Sequence, residues 1–126
     1  MRLLLDTHVL LWWLADDPSL GEQAARAVER EPEVYVSAAS VWEIAIKKAI
    51  GKLDAPDDLV EAVETSGFRP LPIGLAHADR AGSLPRHHDD PFDRMLVAQA
   101  QLEGLTLVTV DARLPSYEVA LLSASA

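Results

Sequence analysis

Hydrophobic and polar positions along the chain form blocks that predict short buried strands separated by amphipathic helices. Runs of apolar residues predict strands at 2–5, 34–37 and 105–110, and weaker edge strands at 68–73 and in the closing YEVALLS. Apolar residues at helical spacing predict helices over 8–15, 19–31, 38–50, 57–66, 75–82 and 90–103. Strands that alternate with helices are typical of an α/β fold with a mainly parallel sheet of four or five strands, covered on both faces. We expect one domain over 1–126.

Residues that favour helix ends mark the boundaries of these helices. The predicted N-caps are Thr7, Ser19, Ser37 and Asp90. Ser19 stands at capping-box spacing from a glutamate three residues later. Pro91 occupies the first position of the last long helix, where its missing N–H costs nothing. Gly51 is the predicted C-cap of the third helix, and Gly104 follows the end of the last one.

Composition and charge narrow the function classes. The chain contains no cysteine, so disulfides and thiolate metal sites are excluded. No segment approaches the roughly 18 apolar residues needed to cross a bilayer, and we expect a cytoplasmic protein with no membrane contact. Its 11 basic and 20 acidic residues give a net charge of −9. This charge opposes unassisted binding to nucleic acid. The protein is therefore expected to bind a different kind of ligand or a basic partner, or to bind nucleic acid through a local basic patch or bound cations.

Four acidic residues stand where a ligand site of a parallel sheet is expected. Asp6 and Asp111 each follow a buried strand, and ligands bind beyond the carboxyl ends of such strands. Glu43 lies in the apolar helix segment VWEIAIKK, and Asp93 follows the start of DPFDRMLVAQAQLEG. Together these oxygens form a set suited to Mg²⁺ or Mn²⁺.

Each of these acids also has a purely structural interpretation. Asp90 is most simply an N-cap, and Asp93 at the third helical position favours the helix dipole. Asp111 can start a turn, and Asp6 can cap the first helix by itself. Glu43 is harder to explain as a solvated surface residue, since apolar side chains flank it in the sequence.

Four stretches of the chain together resemble the PIN-domain ribonucleases of the VapC toxin type. These stretches are LLLDTHVLLWWL, VSAASVWEIAIKKAIGKL, HHDDPFDRMLVAQAQLEGLTLVTVD and the closing Y-x-V-x-L-L, and they span residues 3 to 122. The resemblance implies a three-layer α/β/α PIN-like fold. It places the family's acidic, metal-binding and catalytic site on Asp6, Glu43, Asp93 and Asp111. Asp93 matches the family's third acid better than Asp90, which remains an auxiliary candidate with Thr7, Arg94 and Thr109.

The resemblance also implies an activity and partners. It implies a Mg²⁺- or Mn²⁺-dependent endoribonuclease, the toxin of a type II toxin–antitoxin pair, acting on single-stranded or looped RNA. A metal-activated water would attack the phosphodiester in line and leave 5′-phosphate and 3′-hydroxyl ends. A VapB-like antitoxin would occlude the site, and a homodimer is expected.

Basic residues and histidines near the proposed acids have two interpretations. Six basic residues lie near the acids in sequence: Lys47, Lys48, Lys52, Arg86, Arg94 and Arg113. Each of them either contacts an RNA phosphate or is a solvated surface charge. The histidines have no helical ligand spacing, and a carboxylate-rich site prefers hard cations. We therefore expect His87 and His88 to belong to a loop that borders the cleft.

Other function classes can be compared with the same residues. A Mg²⁺-binding signalling receiver needs paired acids after its first strand and a lysine near the end of its last. Here Asp6 stands alone, and no lysine follows Lys52. A phosphatase with a D-x-D nucleophile motif is disfavoured because residues 6 to 8 read D-T-H. A non-catalytic binding domain whose acids are structural remains the other alternative.

Overall fold

A computed structural model describes residues 1–111 and 114–126, and these residues form a five-stranded sheet with six α-helices. The strands are β1 (Leu3–Leu5), β2 (Val34–Ser37), β3 (Arg69–Leu71), β4 (Thr106–Thr109) and β5 (Leu121–Ser123). The helices are α1 (Thr7–Leu14), α2 (Glu22–Arg30), α3 (Ala38–Ala49), α4 (Leu59–Thr65), α5 (Leu75–Ser83) and α6 (Pro91–Glu103). A short 3₁₀ turn covers Leu114–Ser116. No helix among the described residues is long and apolar enough to span a bilayer.

Strand order places the first strand at the centre of the sheet. The order is β3-β2-β1-β4-β5, and every neighbouring pair is parallel. The expected α/β class is confirmed, and the sheet is wholly rather than mainly parallel. From β1 the chain first adds β2 and β3 on one side of the sheet, and then returns to add β4 and β5 on the other side of β1. This is the kind of switch point where α/β sheets bind ligands.

Helices cover both faces of the sheet because successive strand side chains point to opposite sides. Leu3 and Leu5 pack in a core with residues of α1, α2, α3 and α4. Leu4 packs in a second core with residues of α5 and α6. All three leucines are fully buried, and each contributes about 1.5–3 kcal/mol by leaving water. The apolar β1 strand therefore sits rigidly between the two helical layers.

Two predicted helix starts are confirmed. The Ser37 hydroxyl accepts a hydrogen bond from the Ala39 amide at 3.0 Å and caps α3. Asp90 caps α6, with Pro91 at its first position. Gly104 ends α6 in the left-handed conformation with φ +66°, where a side chain would be strained.

Two predicted helix starts are wrong. Asp6 rather than Thr7 caps α1, since an Asp6 carboxylate oxygen accepts the Val9 amide at 2.9 Å. The second helix begins at Glu22 rather than near Ser19, after Gly21 as its N-cap. The carbonyls of residues 124 and 126 accept hydrogen bonds from the amides of residues 21 and 23, so the C-terminal segment satisfies this helix end. The predicted glycine end of α3 is confirmed, since Gly51 directly follows the last helical residues in the left-handed conformation with φ +72°. The amides of residues 51 and 52 bond the carbonyls of residues 48 and 47 and satisfy this helix end.

Candidate functional site

A cleft of about 280 Å³ opens at the carboxyl edge of the sheet. Its lining residues are Asp6, Thr7, His8, Glu43, Lys47, Asp90, Asp93, Val110 and Asp111. The four acids predicted to form a site come from four different elements. Asp6 follows β1, Asp111 lies two residues beyond β4, Glu43 lies in α3 and Asp93 lies in the first turn of α6. Because β1 and β4 are neighbouring parallel strands, the acids that follow them reach the same edge.

Asp6 is a buried carboxylate supported by hydrogen bonds. Its side chain accepts the Val9 amide and a hydrogen bond from Thr109. Burial nevertheless raises the pKa of Asp6, because loss of water disfavours the charged form more than these bonds favour it. The Asp111 carboxylate raises this pKa further, whereas His8 lowers it. A cation in the cleft would relieve the cost of this buried charge.

Glu43 is 4% exposed, and both of its carboxylate oxygens accept hydrogen bonds. The Thr7 hydroxyl donates to Oε1 at 2.6 Å, and the Lys47 ammonium donates to Oε2 at 2.6 Å. The hydrogen bond with Glu43 raises the pKa of Lys47, so the ammonium charge is retained. Glu43 is therefore held in place from both β1's end and its own helix.

One imidazole joins the other two acids. His88 Nε2 lies 2.9 Å from Asp93 Oδ2 and 3.0 Å from Asp111 Oδ2. Burial and then the nearby Asp90 carboxylate raise the pKa of Asp93 to about 6, although His88 opposes this. The nitrogen and one oxygen of each acid lie within 4.8 Å of one another, close enough to surround a metal ion.

The auxiliary candidates divide into three that lie at the site and one that does not. Thr7 and Asp90 line the cleft, and Asp90 also caps α6. Thr109 is 5% exposed and links the two strand-end acids, because it bonds Asp6 and its Oγ1 accepts the Asp111 amide at 3.1 Å. Arg94 is the exception and points away from the cleft.

Arg94 has a structural role instead of the expected place at the site. Its guanidinium donates to the carbonyls of Ala81, Gly82, Leu84, Pro85 and His88. These bonds fasten the loop between α5 and α6 to the start of α6. A guanidinium that is shared among five carbonyls is not positioned to bind an RNA phosphate at the acids.

The remaining basic residues are spread around the molecule. Among the described residues, Lys47 is the one lysine or arginine that lines the cleft. Lys48 pairs with the exposed Asp57, and Arg86 approaches Asp89 at 3.9 Å on the surface. Lys52 is exposed, and Arg113 lies outside the described residues.

Two contacts of this cleft were missed in the sequence. Glu43 and Lys47 have i,i+4 spacing on one helix, and this spacing favours ion pairs. The Glu43–Lys47 ion pair could therefore have been predicted from the sequence. His88 lies in the loop before α6 as expected, but it is 5% exposed and touches two acids. No local pattern indicates a contact that spans 23 residues to Asp111. Its neighbour His87 is exposed and packs its ring against Tyr117 with centroids 5.1 Å apart.

The chemistry of the donor set fits a divalent cation. Carboxylate oxygens are the ligands that hard cations prefer. The cleft gathers five carboxylates around one lysine, Lys47, and one histidine, His8, and both Asp6 and Asp93 have raised pKa values. Mutual repulsion of this kind is offset by a bound cation.

Known proteins resemble this chain in sequence and in fold. The family model described as PIN domain matches residues 3–120. Ribonuclease VapC22 of Mycobacterium tuberculosis (strain ATCC 25618 / H37Rv) is 38% identical over 121 residues, which cover 90% of each chain. A toxin–antitoxin complex from Klebsiella pneumoniae is 21% identical over 97% of both chains, with a TM-score of 0.69. VapBC2 from Rickettsia felis, bound to a DNA fragment from its promoter, is 14% identical over 97% of this chain and 98% of that chain, with a TM-score of 0.71.

Proposed function

This chain belongs to the PIN domain family, and from that premise we propose that it is an endoribonuclease of the VapC type. The resemblance seen in the sequence is confirmed, and family membership sets the receiver-like alternative aside. The observation that carries the proposal is the meeting of four acids from β1, α3, α6 and β4 in one cleft. A non-catalytic binding domain has no need for this costly arrangement of buried charge.

We propose that Asp6, Glu43, Asp93 and Asp111 hold Mg²⁺ or Mn²⁺, with Asp6 and Asp93 as the firmest ligands. A divalent cation bound there would supply an activated water for in-line attack on a phosphodiester and would stabilise the charge on the leaving oxygen. The products would carry 5′-phosphate and 3′-hydroxyl ends.

Other residues of the chain prepare the cleft for this reaction. Thr7 and Lys47 hold the Glu43 carboxylate between them. Thr109 keeps Asp6 and the Asp111 backbone in a fixed relation. The Lys47 ammonium also lines the cleft, where it would attract an RNA phosphate to an otherwise acidic surface.

Partners follow from the same proposal. We propose a cognate VapB-like antitoxin that occludes the cleft, a homodimeric state, and action on single-stranded or looped RNA in the cytoplasm. The toxin–antitoxin complexes among the structural relatives support the antitoxin partner.

If the partner exists, expression of this chain alone should arrest growth, and a small protein encoded beside it should relieve the arrest. Failure of every neighbouring product to bind would refute the toxin–antitoxin part and leave the nuclease intact.

The nuclease activity is tested on purified protein free of any partner. RNA should be cleaved with Mg²⁺ or Mn²⁺ and not in EDTA. Asp6→Asn and Asp93→Asn should each reduce the rate by about 10²-fold or more, because each removes a carboxylate that holds the cation, and the cation would stabilise the charge of the transition state. Asp79→Asn is the matched control, since Asp79 is exposed on α5. Parent-like cleavage by either site variant would refute the site, and no cleavage by the parent with either cation would refute the function.

A further inference from the structure

We propose that His88 is a positioning residue that clamps the Asp93 and Asp111 carboxylates together from behind the cleft and is not itself a metal ligand. The inference rests on the proposed function to the extent that these two acids bind the cation. It concerns a residue that the acidic site does not include.

Distances identify His88 as the direct link between two elements of the site. Its Nε2 contacts Oδ2 of Asp93, five residues later at the start of α6, and Oδ2 of Asp111, 23 residues later beyond β4. The imidazole side chain is 2% exposed, so water cannot substitute for it easily. The ring therefore joins one oxygen of each carboxylate to the same nitrogen.

The second ring nitrogen determines where the proton lies. His88 Nδ1 accepts the Asp90 backbone N–H at 3.2 Å, which requires a lone pair on Nδ1. The ring proton therefore sits on Nε2, which donates to both carboxylates. A protonated nitrogen has no lone pair to give to a metal. Although Nε2 lies at metal-binding distance from both acids, its chemistry is that of a hydrogen-bond donor.

The surroundings of His88 agree with this role. Asp93 and Asp111 line the acidic cleft, whereas His88 borders a separate depression together with Gly82 and Arg94. The His88 carbonyl accepts a hydrogen bond from the Arg94 guanidinium at 3.3 Å. Backbone and ring are thus both anchored, and the N–H group is presented to the acids from a fixed position. Two like charges are kept close because a donor lies between them.

Loss of this donor should weaken cation binding rather than remove a ligand. Without the N–H, no shared donor offsets the repulsion between the two carboxylates. Removal of an outer-shell hydrogen bond of this kind typically reduces metal affinity by about 10–100-fold. A glutamine at this position can supply amide N–H donors to the same oxygens, whereas a leucine cannot.

Calorimetric titration of the metal-free protein with Mn²⁺ tests the proposal without any activity assay. His88→Leu should raise the Kd for Mn²⁺ by about 10–100-fold, and His88→Gln should stay close to the parent. His87→Leu is the matched control, because His87 is exposed and packs on Tyr117. Thermal unfolding in EDTA verifies that each variant is folded. Parent-like Mn²⁺ affinity in His88→Leu would overturn the proposal.

Nitrogen-15 NMR of the parent gives a second, independent result. The His88 ring should show a protonated Nε2 both in the metal-free protein and after saturation with Mg²⁺. Loss of that proton on Mg²⁺ binding would make Nε2 a ligand and overturn the proposal, even if His88→Leu failed to fold. A parent that binds no Mn²⁺ would refute the metal site and this inference together. If the parent binds Mn²⁺ and His88→Leu binds it with the same affinity, the clamp alone is refuted.

Discussion

The Asp93 carboxyl group should make the metal-free protein less stable as the pH rises. Its pKa is raised to about 6 by burial and by the nearby Asp90 carboxylate, against about 3.9 in an unfolded chain. The folded state thus holds this proton more tightly, so the free energy of unfolding falls between about pH 4 and pH 6 and stays low above that range. Two pKa units correspond to about 3 kcal/mol. The side chain is 21% exposed, so solvent screens little of this cost.

Asp93→Asn removes the charge and keeps the shape of the side chain. In EDTA, the variant should exceed the parent in free energy of unfolding by about 3 kcal/mol at pH 7.5 and by about 1 kcal/mol at pH 4.5. The larger difference corresponds to roughly 10 °C in Tm for a domain of this size. Urea denaturation followed by circular dichroism measures both values, with Asp79→Asn on the surface of α5 as the control.

Saturating Mg²⁺ should reverse the order of the two proteins. Ligand binding to the folded state stabilises the parent, whereas the variant lacks one carboxylate of the site. An Asp93→Asn protein no more stable than the parent at pH 7.5 in EDTA would refute the reasoning. An advantage of equal size at both pH values would also refute it, since the effect would then not come from the titration of Asp93.

Two further substitutions test the groups that support the cleft. Lys47→Met leaves the buried Glu43 without its ammonium partner and should lower the free energy of unfolding in EDTA by about 1–3 kcal/mol. The control Lys48→Met breaks a surface ion pair and should lower it by less than about 1 kcal/mol. Equal losses for the two variants in urea denaturation would contradict the argument. Arg94→Lys cannot reproduce a guanidinium shared among carbonyls and should lower stability by about 1–3 kcal/mol. Amide hydrogen exchange over 81–88 should accelerate in that variant, and unchanged exchange there would contradict the structural role.

Features that depend on neighbours two to four residues apart could be predicted from the sequence. The Ser37 and Asp90 caps are examples, because each side chain bonds an amide two or three residues later. The apolar strands that precede Asp6 and Asp111 also follow from local pattern. Parallel strands bring their carboxyl ends to one edge, so the meeting of these acids could be anticipated without knowing the strand order in full.

Other features were decided by residues that are distant in sequence. Ser19 does not begin α2, because the backbone carbonyls of residues 124 and 126 satisfy the amides of residues 21 and 23 at that helix start. Thr7 does not cap α1, because its hydroxyl bonds Glu43, 36 residues away. Arg94 donates to five carbonyls at the end of α5 and in the loop after it, and His88 contacts acids on two elements.

The sequence by itself determined the elements, the fold class and the acids that reach the cleft, since hydrophobic periodicity and capping act within one or two turns of the chain. Only the tertiary structure decided how the charges are held. The partner of a buried polar group is whichever group the packed strands and helices bring within hydrogen-bond distance, and nothing in its own neighbourhood specifies that partner. The contacts of His88 with Asp93 and Asp111 exist for this reason, because they form only when the fold brings the start of α6 close to the segment that follows β4.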